Sequence, residues 1–516
     1  MSNKNENPEK VRIELVPLGA VLDVERGALL QNILSSRGME FPCGGLGTCG
    51  GCRVQVLEGN IDPTPEELAA LSAEDVRDGW RLACYMRAES PVKLKVEQWS
   101  MAVLSDDTHL TGARREGLAV AIDLGTTTIV AQVLDLATGK LLGLRTALNP
   151  QAVHGADVMS RVRFAFDSNE LTALIRDFLG AMLLDVAGGR ENEIVEVVLV
   201  GNTVMHHLFC GVDTEPLSHV PFASPQLAEQ RFSGKQLNWK LPDSAAIRFL
   251  PCIGGFVGSD ILAGIVAVGL HTGDRLRALI DLGTNGEISL GNREKILCAS
   301  TAAGTAFEAG SIKMGMRAAT GAISRVFQNH HGMECSVIGD VEARGLCGSG
   351  LVDAIAAGLN SDVIRTSGRF TNGNKEFPLA GTVKLWQADV RELQLAKAAI
   401  ASGLRILLDR WGATIDDVEQ VYLSGAFGNY VRAESAVRIG LLEASVDRLV
   451  PSGNTALRGA KMLIGAKDFP VLNMIEHVGL ASDPNFQERF VDCMAFPDAE
   501  IAAQRHAVAE TPVAVV

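Results

Sequence analysis

Two segments of this chain repeat each other. AIDLGTTTIVAQVLD and LIDLGTNGEISLGN each run an apolar strand into Asp-Leu-Gly-Thr and out into a second strand. A chain that writes the same strand–turn–strand unit twice has to place two copies of it. The expected fold is therefore α/β, with a duplicated lobe and a cleft between the copies; two copies are too few for a solenoid. The surrounding pattern agrees. From Leu118 the alternation predicts two or three strands, then a helix around Leu171 to Val186, a strand around Val195 to Val200 and a helix around Val257 to Leu270. This places the first lobe over 118–274 and the second over 275–498, with a flexible tail over 499–516.

Each repeat sets an acid at a strand end beside a glycine turn. Backbone N–H groups and threonine hydroxyls in such a turn can hold phosphate oxygens. The acids Asp123 and Asp281 are the candidate catalytic groups, able to hold Mg2+ through water, because magnesium keeps much of its hydration shell. Neither turn fits G-x-x-x-x-G-K-[ST], so this is not a P-loop. A lone DLGT would read equally well as a hairpin turn. The second copy, and VYLSGAFGNY after a later strand, shift the weight towards a nucleotide: Gly425, Ala426 and Gly428 are small enough for an adenosine to approach. GLCGSGLVDAIAAG offers a second small-residue helix start, at Gly348 to Gly350, where lobes could pack closely.

The first ~98 residues are a separate unit. Val11, Ile13 and Leu15 alternate as a strand does, VLDVERG reads as its hairpin partner, and Leu29, Leu30, Ile33 and Leu34 have helical spacing. CRVQVLEG and VKLKVEQ add strands, which together make a β-grasp layout over 1–98. Residues 99–117 lose periodicity and gain Ser, Asp, Thr and Gly, and read as a linker. Four of the chain's 10 cysteines cluster in this unit with the spacing C-x5-C-x2-C-x31-C: Cys43, Cys49, Cys52 and Cys84. Plant-type ferredoxins use a similar spacing to hold a 2Fe–2S cluster. Gly44, Gly45, Gly47, Gly50 and Gly51 let the loop wrap closely and aim N–H groups at sulfur. A structural zinc site also takes four thiolates, but uses two short knuckles where this chain has one.

Composition narrows the setting. A formal charge of -14 disfavours nucleic acid as a partner. No apolar stretch is long enough for a bilayer, and MSNKNENPEK has no apolar core for export, so the expectation is a cytoplasmic chain without disulfides.

Taken in order, these motifs resemble the superfamily of actin, hexokinase and the heat-shock ATPase chaperones (ASKHA). Asp123, Gly125, Thr126 and Thr127 match its first phosphate segment; Asp281, Gly283, Thr284 and Asn285 match its second. Gly425, Ala426 and Gly428 match its adenosine segment, with Ala where many members have a second adjacent Gly. Cys347 to Gly350 resemble a connecting segment. A ferredoxin unit, a linker and then this domain is similar to the reductive activators of corrinoid proteins, as are GNTVMHHLFCG, CIGGFVGSD, AAGTAFEAG and FQERFVDCMAFP. Known larger members carry more sequence ahead of the ATP domain. The resemblance implies an ATP-dependent, one-electron reduction of inactive Co(II) to Co(I) on a corrinoid protein, restoring a methyltransferase system. It also implies an upstream low-potential electron donor and a homodimer. Glu308, in the family's AFE pattern, is then expected to contact ribose or hold magnesium.

Other residues are less specific. His206 and His207 read as a surface or packing pair ahead of a cobalt ligand or proton relay. Asp260 reads equally as a helix N-cap or as a cleft acid, Glu287 as solvent-facing, and Trp80 and Tyr85 as packing. Two other functions fit the motifs: a small-molecule kinase, or an actin-like nucleotide-responsive protein, each with a redox-sensing ferredoxin unit.

Overall fold

The computed structural model describes residues 9–16, 20–35, 39, 52–96, 114–155, 157–224, 226–283, 285–304, 306–329, 332–371, 373–428 and 430–507. Cys43, Cys49 and Thr284 lie outside them, as do Gly44, Gly45, Gly47, Gly50, Gly51 and residues 99–113 of the expected linker.

The first unit is a five-stranded sheet built from β1 (Lys10–Val16), β2 (Ala20–Glu25), β3 (Arg53–Glu58), β4 (Trp80–Leu82) and β5 (Val92–Val96), in the order β2-β1-β5-β3-β4. The strands pair antiparallel except β1 with β5, which run parallel. The alternating residues Ile13 and Leu15 point inward, and the Leu30–Ser35 helix buries Leu30 and Leu34 against them. This is the β-grasp arrangement read from the sequence. Two short helices not anticipated there, Pro65–Ala70 and Ala73–Arg77, start on the hydroxyl caps Thr64 and Ser72.

The cleft region opens on a six-stranded sheet: β6 (Leu118–Leu124), β7 (Thr128–Asp135), β8 (Leu141–Leu148), β9 (Ile194–Val200), β10 (Gln230–Phe232) and β11 (Ala246–Phe249). Its order is β10-β11-β9-β6-β7-β8. The second sheet is built from β12 (Arg277–Leu282), β13 (Gly286–Gly291) and β14 (Ile296–Thr301). The chain then makes a three-stranded sheet of β15 (Ala322–Asn329), β16 (Gly332–Val337) and β17 (Gly345–Leu346), and a hairpin of β18 (Glu376–Ala380) and β19 (Val383–Trp386). It returns with β20 (Gln420–Ser424), β21 (Leu449–Pro451) and β22 (Ile475–His477), giving the order β21-β20-β12-β13-β14-β22. In both six-stranded sheets three antiparallel strands come first, and the first of them then accepts a parallel partner that accepts another: β6 with β9 and β11, β12 with β20 and β21. The sequence echo is thus a topological one.

Two helices cross where the sheets meet, and each packs on the sheet of the other half. Thr455–Met462 lays Ala456, Leu457 and Ala460 on Ala121, Val198 and Val200 of the first sheet. Ser259–Val268 lays Ile261, Leu262 and Ile265 against Leu279, Ile296 and Cys298 of the second. Their backbones touch closely. A Cβ on Gly459 would fall 1.9 Å from the Ala263 carbonyl oxygen. Close packing between the halves therefore happens here and not at Gly348 to Gly350. There, a Cβ on Gly348 would strike the Phe307 carbonyl within the second half.

The expected flexible tail begins instead with a helix, Ala499–Ala507, whose alanine-rich sequence suits that conformation. Among the described residues, no helix is long and apolar enough to cross a membrane.

Candidate cluster and nucleotide sites

Of the four cysteines, Cys52 and Cys84 are described. They come from opposite sides of one turn of structure. Cys52 leads into β3 and Cys84 follows β4, and the Ala83 N–H donates to the Cys52 carbonyl at 2.9 Å. Their sulfurs stand 3.3 Å apart, both buried. That is far beyond a disulfide bond. Two thiolates on one tetrahedral metal at ~2.3 Å bonds stand roughly 3.7 Å apart, so the pair fits a shared metal. The turn is held by Glu67, which is fully buried. One oxygen accepts the Leu82 N–H at 2.6 Å and the other caps Thr64 at 2.9 Å. Trp80 stacks under the Arg53 guanidinium at 4.6 Å, a packing role.

In the cleft the two DLGT turns sit at equivalent places. Asp123 ends β6 opposite Val200 of β9, and Asp281 ends β12 opposite Ser424 of β20. Each parallel neighbour then turns at glycine, Gly201 or Gly425. Gly425 has a φ of +83° and its Cβ would land 2.6 Å from the Asp281 carboxylate, so only glycine fits. Small size here serves the acid first. Ser424 donates to Asp281 at 2.7 Å, and Asn454, the cap of the crossing helix, donates to Asp123 at 2.9 Å.

Four carboxylates converge. Burial, with the charge of Asp281 nearby, pushes Asp123 up to about 7 despite the Asn454 bond. Burial, followed by Asp281 and Asp123, pushes Asp260 up to about 8. Asp281 is raised by burial. Glu287 is raised well above its ordinary value by burial and then by Asp260 and Asp281. Glu287 is buried and accepts from Ser300 at 3.2 Å, so it does not face solvent. Asp260 is not an N-cap; Gly258 holds that position. Among the described residues no three acids, histidines or cysteines lie close enough together to ligate one metal directly. A hydrated cation held through water suits such spacing.

The 125–127 turn is buttressed by asparagines that the sequence did not single out. Asn149 donates its side chain to the Gly125 carbonyl at 2.9 Å and its backbone N–H to that of Thr127 at 2.8 Å. Asn202 donates to the Thr126 hydroxyl at 2.8 Å and caps the Thr203–Cys210 helix. A signal existed: VLVGNT and VYLSGAF are both strands ending in a small turn. In the second loop, the Gly283 N–H donates to the Asn285 carbonyl at 3.1 Å. Gly425–Gly428 forms one helical turn whose Phe427 stacks on Phe307 at 4.7 Å, next to Glu308. The Phe307–Phe427 stack thus brings the segments that carry Glu308 and Gly428 together within the second half. His206 and His207 are fully buried, with His207 against the Ser224 hydroxyl at 2.6 Å; burial pulls them down to about 3 and about 4, so both are neutral packing groups.

Between the halves lies a cavity of 440 Å³ that reaches Asn285 and Ser300. Phe222, Phe256, Leu480 and Phe486 dominate its walls, and no Asp, Glu, Lys or Arg lines it.

Comparison with known proteins agrees with this geometry. Residues 8–89 match a 2Fe–2S iron–sulfur cluster binding domain, 118–273 the middle region of RACo, and 275–507 the C-terminal ASKHA domain of RACo. The corrinoid activation enzyme RamQ of Eubacterium limosum is 34% identical over 420 residues, covering 73% of this chain and 70% of that one. The chain belongs to the family of corrinoid-protein activators. A second relative in this family is the [Co(II) methylated amine-specific corrinoid protein] reductase of Methanosarcina barkeri. It is 27% identical over 380 residues, covering 67% of this chain and 69% of that one. The fold matches a solved reductive activator for corrinoid, iron–sulfur protein with a TM-score of 0.66 at 24% identity, over 95% of this chain and 98% of that one.

Proposed function

We propose that this activator uses ATP to drive one electron onto a corrinoid protein, returning inactive Co(II) to Co(I) so that a corrinoid-dependent methyltransferase system can resume. The observation that carries the reading is the presence in one chain of the Cys52–Cys84 sulfur pair and a cleft where four acids face two phosphate-type turns. Cys43, Cys49, Cys52 and Cys84 would hold the 2Fe–2S cluster, which when bound supplies a single low-potential electron. Asp123 and Asp281 would hold Mg2+ through water and orient the water that attacks the terminal phosphate of ATP. Gly125, Thr126, Thr127, Gly283, Thr284 and Asn285 would cradle the phosphates. Glu308, Gly425, Ala426 and Gly428 would line the adenosine.

The energy asked of ATP is modest. Plant-type centres sit near ~-400 mV. A cobalt couple ~100 mV lower leaves a deficit of about 2.3 kcal/mol per electron. Lobes that grip the partner differently with and without nucleotide can supply that, because a ligand shifts an equilibrium by its differential affinity. The crossing helices suit this role: their starts, at Asn454 and Asp260, face the acids, and their bodies join the two sheets.

A small-molecule kinase is a poorer fit. An anionic substrate beside the two turns would need a cationic partner, and among the described residues no Lys or Arg lines the cavity there, whose polar groups are Asn285, Ser300, Thr301, His477 and Ser482. An upstream low-potential donor would refill the cluster, and a cytoplasmic setting would keep its thiolates reduced. A homodimer would show as twice the chain mass on sedimentation, which also tests for actin-like polymers.

The decisive assay is anaerobic: reductant, this protein and candidate Co(II) corrinoid proteins, with and without Mg2+-ATP, followed by the Co(I) absorbance. Reduction that depends on both the protein and ATP is expected. Equal reduction without ATP would refute the coupling.

A further inference from the structure

Arg161 lies in the Val158–Phe164 helix and is completely buried. Its Nε donates to the Gly155 carbonyl at 2.9 Å and its Nη1 meets only the Met205 sulfur, at 3.8 Å. Its Nη2 has no partner among the described residues. The acid nearest in sequence, Asp157, spends its oxygens on the Ser160 N–H and hydroxyl at 2.9 and 2.6 Å. Asp157 acts on the guanidinium through its charge alone, and a buried guanidinium with no carboxylate hydrogen-bonded to it is still costly and favours further negative charge nearby.

The structure shows where that charge would sit. Met205 also touches the Asn149 amide at 3.4 Å, and the same amide holds the Gly125 carbonyl. Met205 donates its backbone N–H to Asn202 at 3.0 Å, and Asn202 holds Thr126. Two side chains in series, Met205 and Asn149, therefore link the guanidinium to the 125–127 turn.

We propose that Arg161 is a positioning residue for the nucleotide's polyphosphate, a fixed positive charge behind the 125–127 turn that favours nucleotides in proportion to their phosphate charge. This rests on the reading of the cleft as a nucleotide site. It adds a long-range source of selectivity for triphosphate over diphosphate beside the direct contacts of the two turns. At ~10 Å and an effective dielectric constant of ~20, one unit of phosphate charge changes affinity about tenfold.

The test is calorimetric titration of the full chain with Mg2+-ATP, Mg2+-ADP and adenosine. In Arg161→Met, ATP should weaken by about tenfold more than ADP, and adenosine should bind unchanged. Arg161→Lys, which keeps the charge, should hold the ATP-to-ADP ratio within a few-fold of the starting protein. Asp157→Asn removes a nearby negative charge yet keeps a competent helix cap, and should tighten ATP a few-fold more than ADP. If Arg161→Met does not fold, as circular dichroism would reveal, the other two variants decide. Loss of selectivity in Arg161→Lys, or an unchanged ratio in Asp157→Asn, would overturn the proposal, as would an unchanged ratio in a folded Arg161→Met. Failure of the unaltered chain to bind Mg2+-ATP would instead remove the nucleotide reading beneath it.

Discussion

Asp123 and Asp281 are placed where a carboxylate is uncomfortable. In the cleft, burial and mutual repulsion raise Asp123 to about 7 and Asp260 to about 8. Acids whose folded values are raised retain protons that the unfolded chain has already lost. Their contribution to stability is therefore full below the ordinary carboxylate range and is lost as the pH rises through about 7 and about 8. Without nucleotide, the cleft region should melt at a lower temperature at pH 8.5 than at pH 6, and Mg2+-ATP should remove the difference. Asp123→Asn keeps an oxygen for Asn454 but carries no charge. It should raise the melting temperature at pH 8.5 while lowering ATP turnover by about 100-fold or more. A variant with lower stability and full turnover would contradict this assignment. Asp123 and Asp281 were legible in the sequence because each closes an apolar strand before a glycine turn. Glu287 was not, because its alternation allows either face. Only the pairing of β13 between β12 and β14 turns it inward to Ser300.

At the scale of elements, the crossing of Ser259–Val268 and Thr455–Met462 is the joint of the molecule. Gly459 sits where a side chain would collide with the backbone at Ala263. Gly459→Val should push the helices apart, costing about 1–3 kcal/mol as overpacking does. It should also reduce ATP turnover, since Asn454, the cap of one helix, and Asp260, in the first turn of the other, would shift relative to Asp123 and Asp281. Unchanged turnover in a folded Gly459→Val would show that the joint does not set the cleft. Neither helix announces this role. ILAGIVAVG was legible as a buried helix from its unbroken apolar run, but NTALRGAKM carries Arg458 and Lys461 and reads as an ordinary amphipathic segment. Its partner strands, β6 and β9, lie more than 250 residues earlier in the chain, and no local pattern encodes such a contact.

At the scale of the whole molecule, and among the described residues, the hydrophobic cores of the two working parts meet at one residue. In the core of the first unit, Leu148 at the end of β8 is the one residue from beyond Val96, counting described residues. It precedes Asn149, which buttresses the first phosphate turn. Two thermal transitions are expected in calorimetry. Stripping iron anaerobically with a chelator should lower the transition of the first unit, whose Cys52 and Cys84 would lose their shared metal, and leave the other within about 2 °C. A single transition that moves as a whole would mean that the units unfold together. The slender contact also suits an electron carrier that must approach a partner.

The sequence by itself determined what is local: the glycine-rich cysteine loop, the alternating strands, and the doubled Asp-Leu-Gly-Thr turns, because strand period and turn chemistry are written in neighbouring residues. Tertiary structure alone decided which acids meet, that helices change sides to join the lobes, and that Arg161 is buried behind the first turn with its Nη2 lacking a partner among the described residues. Those outcomes depend on burial and on charges brought together from distant parts of the chain, and electrostatic energy is set by distance in space rather than by order along the backbone.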